Sequence, residues 1–263
     1  FRISNMVIDN SHKVYGLIGH PLGHSFSQGY FRNKFADENI DAEYNNYDLE
    51  DINQLMTLIH ENPAMCGLNV TIPYKEQVLP YLATIDDDAK EIGAVNVIKF
   101  IKDENGELLS LRGYNSDAPA FADTIRPMLN SRRTSALVLG TGGASKAIKH
   151  ALEKLGVEVN LVSRRKSAST IVYEELTKAM VSQSKIVVNC TPLGMYPHVD
   201  ECPDFPYRFL THEHLCYDLI YNPDETLFMK KSKEAGAQVK NGLEMLLLQA
   251  FISYEIWNRE IDL

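Results

Sequence analysis

The run Val138-Leu139-Gly140-Thr141-Gly142-Gly143-Ala144-Ser145-Lys146-Ala147 leaves the surrounding chain few options. A β-rich apolar stretch, Ala136 to Gly140, passes through glycines straight into a helical pattern, and a second such stretch, Val157 to Val162, follows the helix. Strand, tight turn, helix and strand in that order specify a parallel βαβ unit. In such a unit Gly140 permits the turn and Gly142 lets the backbone approach a pyrophosphate. The helix start at Gly143 and Ala144 then offers amide donors to it. The competing reading is a glycine turn used only for packing. A P-loop is excluded, because Lys146 follows Ser145 rather than glycine.

The end of the second strand speaks to the cofactor. NAD sites usually place an acid about 20 residues after the turn, to hold the ribose 2′-hydroxyl. Here the strand ends Val162-Ser163-Arg164-Arg165-Lys166, with no acid. A carboxylate repels a 2′-phosphate whereas guanidinium groups pair with it, so these residues point to NADP, against the alternative of a solvated basic turn.

Before this region, Lys13 to Gly19, Glu43 to Leu49, Gly67 to Thr71 and Ala94 to Ile101 are strand-like, with helical patterns between the first three. Glu104-Asn105-Gly106 is a hairpin turn that should return Leu108 to Arg112 beside the preceding strand. After the polar break at Asn130 to Arg133, strands are expected at Ala136 to Gly140, Val157 to Val162, Lys185 to Cys190 and Cys216 to Tyr221. Two sheets in series within 263 residues predict two α/β domains. Gly242 to Trp257 is apolar nearly all round, predicting a buried helix that returns to the first domain.

The charge of -9 argues against nucleic acid as a partner. No apolar run spans a membrane: the richest, Leu243 to Trp257, is broken by Glu244, Gln249 and Glu255. Phe1 to Asn5 contains no apolar signal core, Met6 could be a native start, and a cytoplasmic protein is expected. Cys66, Cys190, Cys202 and Cys216 form no C-x-x-C pair and read as reduced thiols. The grouping of Cys202, His212, Glu213, His214 and Cys216 fits no zinc spacing, so no metal is expected.

Polar side chains collect at predicted element boundaries. Ser25 and Ser27 stand where the first strand gives way to a helix expected near Gln28. They could bind a carboxylate, although spacing alone favours a helix cap. Alternation sets Asn69 and Thr71 on one strand face and Leu68, Val70 and Ile72 on the other, and Pro73 suits a helix start that projects Lys75. Asn96 and Asp117 lie at further boundaries, Asp117 being open to a capping role, and Gln249 stands among apolar neighbours. A lone lysine is usually solvated surface, and the neighbouring Asn69 and Thr71 raise Lys75 above that reading.

Taken together, Ser25-Phe26-Ser27, Asn69 to Lys75, Gly93 to Asn96, Asn115-Ser116-Asp117, Gly140 to Ala144, and Asn241-Gly242 with Gln249 resemble the shikimate dehydrogenase family, in order and spacing, along nearly the whole chain. The resemblance implies a substrate-binding α/β domain with a mostly parallel sheet, residues 1–115 and 240–263, and a Rossmann-type NADP domain, residues 116–239. It implies NADP-dependent interconversion of 3-dehydroshikimate and shikimate, a step of aromatic amino acid (chorismate) biosynthesis, by a monomer or homodimer. By that matching Lys75 and Asp117 are the catalytic pair. Ser25, Ser27 and Tyr221 take the substrate carboxylate, and Asn69, Thr71, Asn96 and Gln249 surround the ring hydroxyls. Gly140, Gly142, Gly143, Ala144, Ser163, Arg164, Arg165, Asn189, Thr191 and Gly242 line the cofactor. Gln28 stands where the family usually has proline, and Val97, Ser116 and Ala120 also depart from its pattern. The alternatives are a quinate/shikimate dehydrogenase using NAD or both cofactors, and a non-catalytic NADP-sensing module.

Overall fold

The computed structural model of the chain describes residues 12–23 and 25–259; the N-terminal reading, Met6 included, and His24 lie outside the described residues. The chain forms two compact units. The first takes the residues up to Lys90, Val95–Tyr114 and those from Ser253 on; the second takes Glu91–Ala94 and Asn115–Ile252.

The first unit begins with β1 (Lys13–Gly19), α1 (Phe26–Asp37), β2 (Ala42–Asp48), α2 (Leu55–Glu61) and β3 (Met65–Val70). It continues through α3 (Tyr74–Gln77), β4 (Thr84–Ile85), α4 (Asp87–Ile92), β5 (Val97–Lys102) and β6 (Leu108–Tyr114). The sheet order is β2-β1-β3-β5-β6-β4. β1 runs parallel to both its neighbours, β5 antiparallel to both of its own, and β4 parallel to β6. Every residue of β1 after Lys13 is buried, as a central strand covered on both faces requires. The predicted hairpin forms: Asp103 accepts the N–H groups of Asn105 and Glu107, each at 2.9 Å, and Gly106 supplies the left-handed φ of +84°.

One core of this unit gathers Ile18, Leu55, Leu68, Val70, Val78 and Ile98. Another is aromatic, with Phe31 stacked on Tyr44 and Tyr15 on Trp257, both at 4.6 Å between ring centroids. Gly67 makes room for the indole: a Cβ built there would lie 2.4 Å from the ring of Trp257, whose Nε1 donates to the Ile98 carbonyl at 3.1 Å.

The second unit contains α5 (Asp117–Ile125), β7 (Ser135–Leu139), α6 (Gly143–Lys154), β8 (Glu158–Ser163), β9 (Thr170–Val172) and α7 (Lys178–Gln183). It continues with β10 (Ile186–Asn189), β11 (Leu215–Asp218), α8 (Leu227–Glu234) and β12 (Gln238–Lys240). The last helix, α9 (Leu243–Asn258), starts in this unit and ends in the first. The sheet order is β12-β11-β10-β7-β8-β9, and every pairing is parallel. From β7 the chain winds outward to β9, then returns to the other side of β7, so the winding reverses between β7 and β10. Open α/β sheets bind ligands at that switch point. Alternation along β7 sends Ala136 and Val138 into a core with Phe121, Ile148 and Leu152, and Leu137 and Leu139 into a core with Val187 and Phe228.

β4, β9 and β12 escape the sequence reading because two or three residues are too few to display alternation. The strand expected to reach Tyr221 ends at Asp218, whose carboxylate accepts the Ile220 N–H at 3.0 Å and turns the chain. The first helix starts at Phe26, ahead of the expected Gln28. Met245, Leu248 and Ile252 of α9 pack in the second unit, and its last turns, from Ser253, make the return to the first. Burial is not complete all round this helix, since Leu243, Leu247 and Phe251 share an exposed face. Among the described residues no helix is long and apolar enough to cross a membrane.

Candidate active site

In the first unit a hydrogen-bond chain links four elements. Ser27, in the first turn of α1, bonds the Tyr44 hydroxyl, and Tyr44 donates to Asn69 Oδ1 at 2.8 Å. Asn69 Nδ2 in turn donates to the Asn96 carbonyl at 3.2 Å and to Ser253 Oγ of α9 at 2.9 Å. Tyr44, Asn69, Asn96 and Ser253 are all buried. Burial lifts the Tyr44 phenol far above its ordinary pKa, so it stays a neutral donor. One lone pair of Asn69 Oδ1 is uncommitted by these bonds, enough to accept from a ligand hydroxyl.

Ser25 holds the extended N-cap position of α1, φ -95° and ψ 129°, yet its side chain makes no capping bond. The cap reading that spacing favours is therefore met by position and not by chemistry. A further anchor, not foreseen from sequence, holds the loop before it. Asp48 Oδ1 pairs with His20 Nδ1 at 2.7 Å and Oδ2 accepts the Leu22 N–H at 3.1 Å, which lowers the pKa of this exposed carboxyl, the His20 bond contributing most. The signal was available in principle: parallel pairing of β1 with β2 sets Gly19 beside Asp48.

β3 stops at Val70, so the predicted alternation ends there. Thr71 is half-buried and Ile72 is 65% exposed, not in the core with Leu68 and Val70. Pro73 occupies the N-cap position of α3, and Lys75 follows as its second residue, half-buried. Two bonds seat this short helix: the buried Tyr74 hydroxyl donates to the Leu49 carbonyl, and the Lys75 carbonyl accepts the Val95 N–H at 2.8 Å. Asn96 is thus joined to Asn69 through its carbonyl, and its neighbour Val95 to Lys75, so this unit brings Ser27, Asn69, Lys75 and Asn96 into one connected framework.

In the second unit, Asp117 is the first residue of α5 and is buried. It is not the cap. Asn115 Oδ1 accepts the N–H groups of Asp117 and Ala118, both at 3.1 Å, while its Nδ2 donates to the Ala94 carbonyl at 3.0 Å. Tyr221 is half-buried, and burial raises its pKa. Gln249, also half-buried, donates from Nε2 to the carbonyl of Leu246 one turn back at 3.0 Å.

The glycine turn lies at the switch point. Gly140 has φ +115°, which other residues rarely adopt, and donates to the Val162 carbonyl at 2.8 Å. Gly142 is the N-cap residue of α6, and a Cβ built on it would meet no protein atom within 4 Å, leaving its face open for a phosphate to approach. Gly143 and Ala144 open the helix, with their amides at its positive end. At the end of β8 Ser163 Oγ accepts the Arg165 N–H at 3.1 Å, Lys166 pairs with Glu175, and the side chains of Arg164 and Arg165 are exposed. Open backbone, helix terminus and a basic strand end without an acid fit a 2′-phosphorylated dinucleotide.

Asn189 ends β10 and accepts both the N–H and the hydroxyl of Thr191 on its Oδ1, at 3.0 and 2.7 Å. Its Nδ2 donates to Asp218 Oδ1 at 3.1 Å. Asp218 lies at a position that sequence reasoning passes over; burial lifts its pKa to about 6 against three hydrogen bonds that lower it. Gly242 donates to the Ile220 carbonyl at 3.0 Å and is held so close to Leu219 that a Cβ would sit 2.0 Å from its carbonyl oxygen. Of the residues read as a metal temptation, His214 has both ring nitrogens engaged, Nδ1 with the Thr211 N–H at 3.0 Å and Nε2 with the Val181 carbonyl at 2.9 Å.

A glycine turn at the switch point of an all-parallel sheet, joined in one chain to a second α/β unit rich in buried hydrogen-bonding side chains, defines the two-unit nucleotide-dependent dehydrogenases. Comparison with known proteins narrows the class. The family description "Shikimate dehydrogenase substrate binding domain" matches residues 17–98. The chain is 36% identical to "Shikimate dehydrogenase (NADP(+))" of Desulforamulus reducens, over 95% of this chain and 91% of that one. The shikimate dehydrogenase structure from Aquifex aeolicus superposes with a TM-score of 0.80 at 33% identity, covering 95% of this chain and 94% of the other. That of Thermus thermophilus, solved with NADP(H) and shikimate, gives 0.80 at 27% identity, covering 94% and 93%. The chain belongs to the shikimate dehydrogenase family.

Proposed function

We propose that this chain is an NADP-dependent shikimate dehydrogenase, interconverting shikimate and 3-dehydroshikimate in aromatic amino acid biosynthesis. The observation that carries the reading is identity of 36% to an NADP-dependent shikimate dehydrogenase across 95% of the chain. The functional domains of this reading are a substrate-binding domain, residues 1–115 and 240–263, and a nucleotide-binding domain, residues 116–239. The polar small acid it acts on and its biosynthetic relatives support a cytoplasmic enzyme, working as a monomer or homodimer.

NADP, when bound, supplies the hydride acceptor, and NADPH the donor in the reverse direction. Gly142, Gly143 and Ala144 hold its pyrophosphate with backbone amides, and Gly140, whose own N–H is bound to Val162, makes the turn that presents them. Ser163, Arg164 and Arg165 receive the 2′-phosphate, the guanidinium groups by paired hydrogen bonds. Asn189, Thr191 and Gly242 line the remainder.

Ser25, Ser27 and Tyr221 take the substrate carboxylate through hydroxyl donors, and Asn69, Thr71, Asn96 and Gln249 order the ring hydroxyls. Lys75 is the acid/base: its neutral amine accepts the hydroxyl proton during oxidation, and its ammonium returns a proton to the alkoxide oxygen during reduction. Asp117 is the second member of the catalytic pair, as the family resemblance implies. Initial rates with shikimate and quinate, each against NADP and NAD, test the assignment. Turnover of shikimate with NADP at the highest kcat/KM is expected; a preference for quinate or for NAD, or binding of NADP without turnover, would overturn it.

A further inference from the structure

Asn189 ends β10, Thr191 follows it, and Gly242 follows β12; one buried carboxylate at the end of β11 links Asn189 to the Ile220 turn against which Gly242 is held. Asp218 Oδ1 accepts from Asn189 Nδ2 at 3.1 Å and from the Ile220 N–H at 3.0 Å, and Oδ2 accepts from Thr226 Oγ1 at 2.6 Å. Asn189, Asp218 and Thr226 are each fully buried. We propose that Asp218 is the positioning residue of the nucleotide side: its carboxylate fixes the Asn189 amide and the Ile220 turn, and through them the Thr191 and Gly242 backbone.

The argument is one of hydrogen-bond polarity. A carboxylate only accepts, so the group of Asn189 that faces it must be the amide NH2. That choice turns Asn189 Oδ1 toward Thr191, where it accepts the N–H and the hydroxyl, and Thr191 Oγ1 then accepts the Leu193 N–H at 3.3 Å. Were the amide reversed, its NH2 would face the Thr191 N–H, donor against donor, and the loop would lose its internal bonds. On the other side, the Ile220 N–H held by Asp218 leaves the Ile220 carbonyl aimed at the Gly242 N–H, 3.0 Å away. The register of the sheet makes this possible, since Asn189 and Asp218 end neighbouring parallel strands directly opposite each other. All three donors to Asp218 are neutral. They offset the cost of burying the charge without quenching it, so the carboxylate keeps its acceptor-only character at neutral pH.

Thr226 provides the control, because its hydroxyl binds the other carboxylate oxygen and caps α8 by accepting the Met229 N–H at 3.2 Å. Removing it disturbs the same buried cluster and leaves Asn189 oriented. The inference rests on the reading that this unit binds NADP, and the experiment therefore has two arms. Amide hydrogen exchange on the protein without nucleotide reads Thr191, Leu193 and Ile220 directly, and calorimetric titration with NADP reads affinity.

In Asp218→Ala, exchange at those three amides is expected to rise at least tenfold and the NADP Kd to rise about tenfold or more. Asp218→Asn, whose carbonyl can still accept from Asn189 and Ile220, is expected to restore both to within about twofold. Thr226→Val is expected to lower the melting temperature yet leave the Thr191 and Leu193 exchange and the NADP Kd near wild type. If the alanine variant does not fold, Asp218→Ser, too short to reach Asn189, replaces it with the same expectations. Equal losses in the Thr226 and Asp218 variants, or unchanged exchange in the alanine or serine variant, would overturn the proposal. Wild-type titration with NADP tests the nucleotide reading separately, while exchange decides the positioning role in either case.

Discussion

The Tyr44 hydroxyl donates to Asn69 Oδ1 across 2.8 Å of buried space, from the second strand of the first sheet to the third. Tyr44 cannot touch the chemistry, but it decides which way the Asn69 amide faces. Tyr44→Phe leaves that oxygen and Ser27 without their partner, at a cost of about 1–3 kcal/mol for the buried acceptor. We expect a lowered melting temperature and a shikimate KM raised several-fold with kcat within about twofold, since positioning acts on binding before it acts on the proton transfer. Thermal denaturation and steady-state rates check both; a fall confined to kcat would contradict the assignment.

Lys75→Ala should cut kcat by about two to four orders of magnitude while shikimate binding changes little. Asp117→Asn should also cut kcat, and the double variant should lose less than the two single losses combined, as for groups that act as one unit. Full additivity, measured from the four rate constants, would separate the two residues.

Arg164→Asp puts a carboxylate where the strand end is basic. NADP should weaken far more than NAD, because only the former brings a 2′-phosphate to be repelled. Equal losses in KM for the two nucleotides would remove the basis of the cofactor preference.

Gly67→Ala drives a methyl group into the indole of Trp257. Overpacking of this kind costs about 1–3 kcal/mol. Trp257 is the only tryptophan of the chain, so its fluorescence reports the repacking directly, alongside the melting temperature. Unchanged emission and stability would show that the aromatic core has slack that the Gly67 spacing denies.

His214 makes stability depend on pH. It is buried with Nδ1 accepting from the Thr211 N–H and Nε2 donating to the Val181 carbonyl, an arrangement that only the neutral ring satisfies. Desolvation by burial, the largest cause, lowers its pKa below the ordinary 6.5. The unfolded chain therefore binds the proton first as pH falls. The stabilisation is complete above 6.5 and drains away through the lowered folded value. Denaturant unfolding between pH 7.5 and 5 should show this loss, and His214→Gln should flatten it. The same slope in both proteins would assign it to other groups.

The glycine turn, the hairpin at Asn105-Gly106 and the long strands are legible from sequence because each rests on local rules: left-handed backbone, alternation, a helix that opens on glycine. Other features depend on partners far away in the chain. Ser25 and Asp117 both read as helix caps until the backbone is known. The serine occupies the cap position without bonding there, and the aspartate is displaced from the role by Asn115, a residue that spacing alone gives no reason to prefer. Nothing local in the sequence singles out Tyr44 or Asp218. Their meaning comes from register, Asn189 opposite Asp218 and Asn69 two strands from Tyr44, and register is a property of the assembled sheet.

The seating of Trp257 on Gly67 bears on how the protein is made. The first unit's residues up to Lys90 and Val95–Tyr114 leave the ribosome well before the indole that completes their aromatic core. The nucleotide-type sheet, continuous from Asn115 to Ile252, can close while translation proceeds; the sheet begun earliest must wait, with Tyr15 and Phe31 unsheltered, until the final helix arrives. The unit whose strands are synthesised first thus has its aromatic core closed by a residue synthesised after the whole of the other sheet.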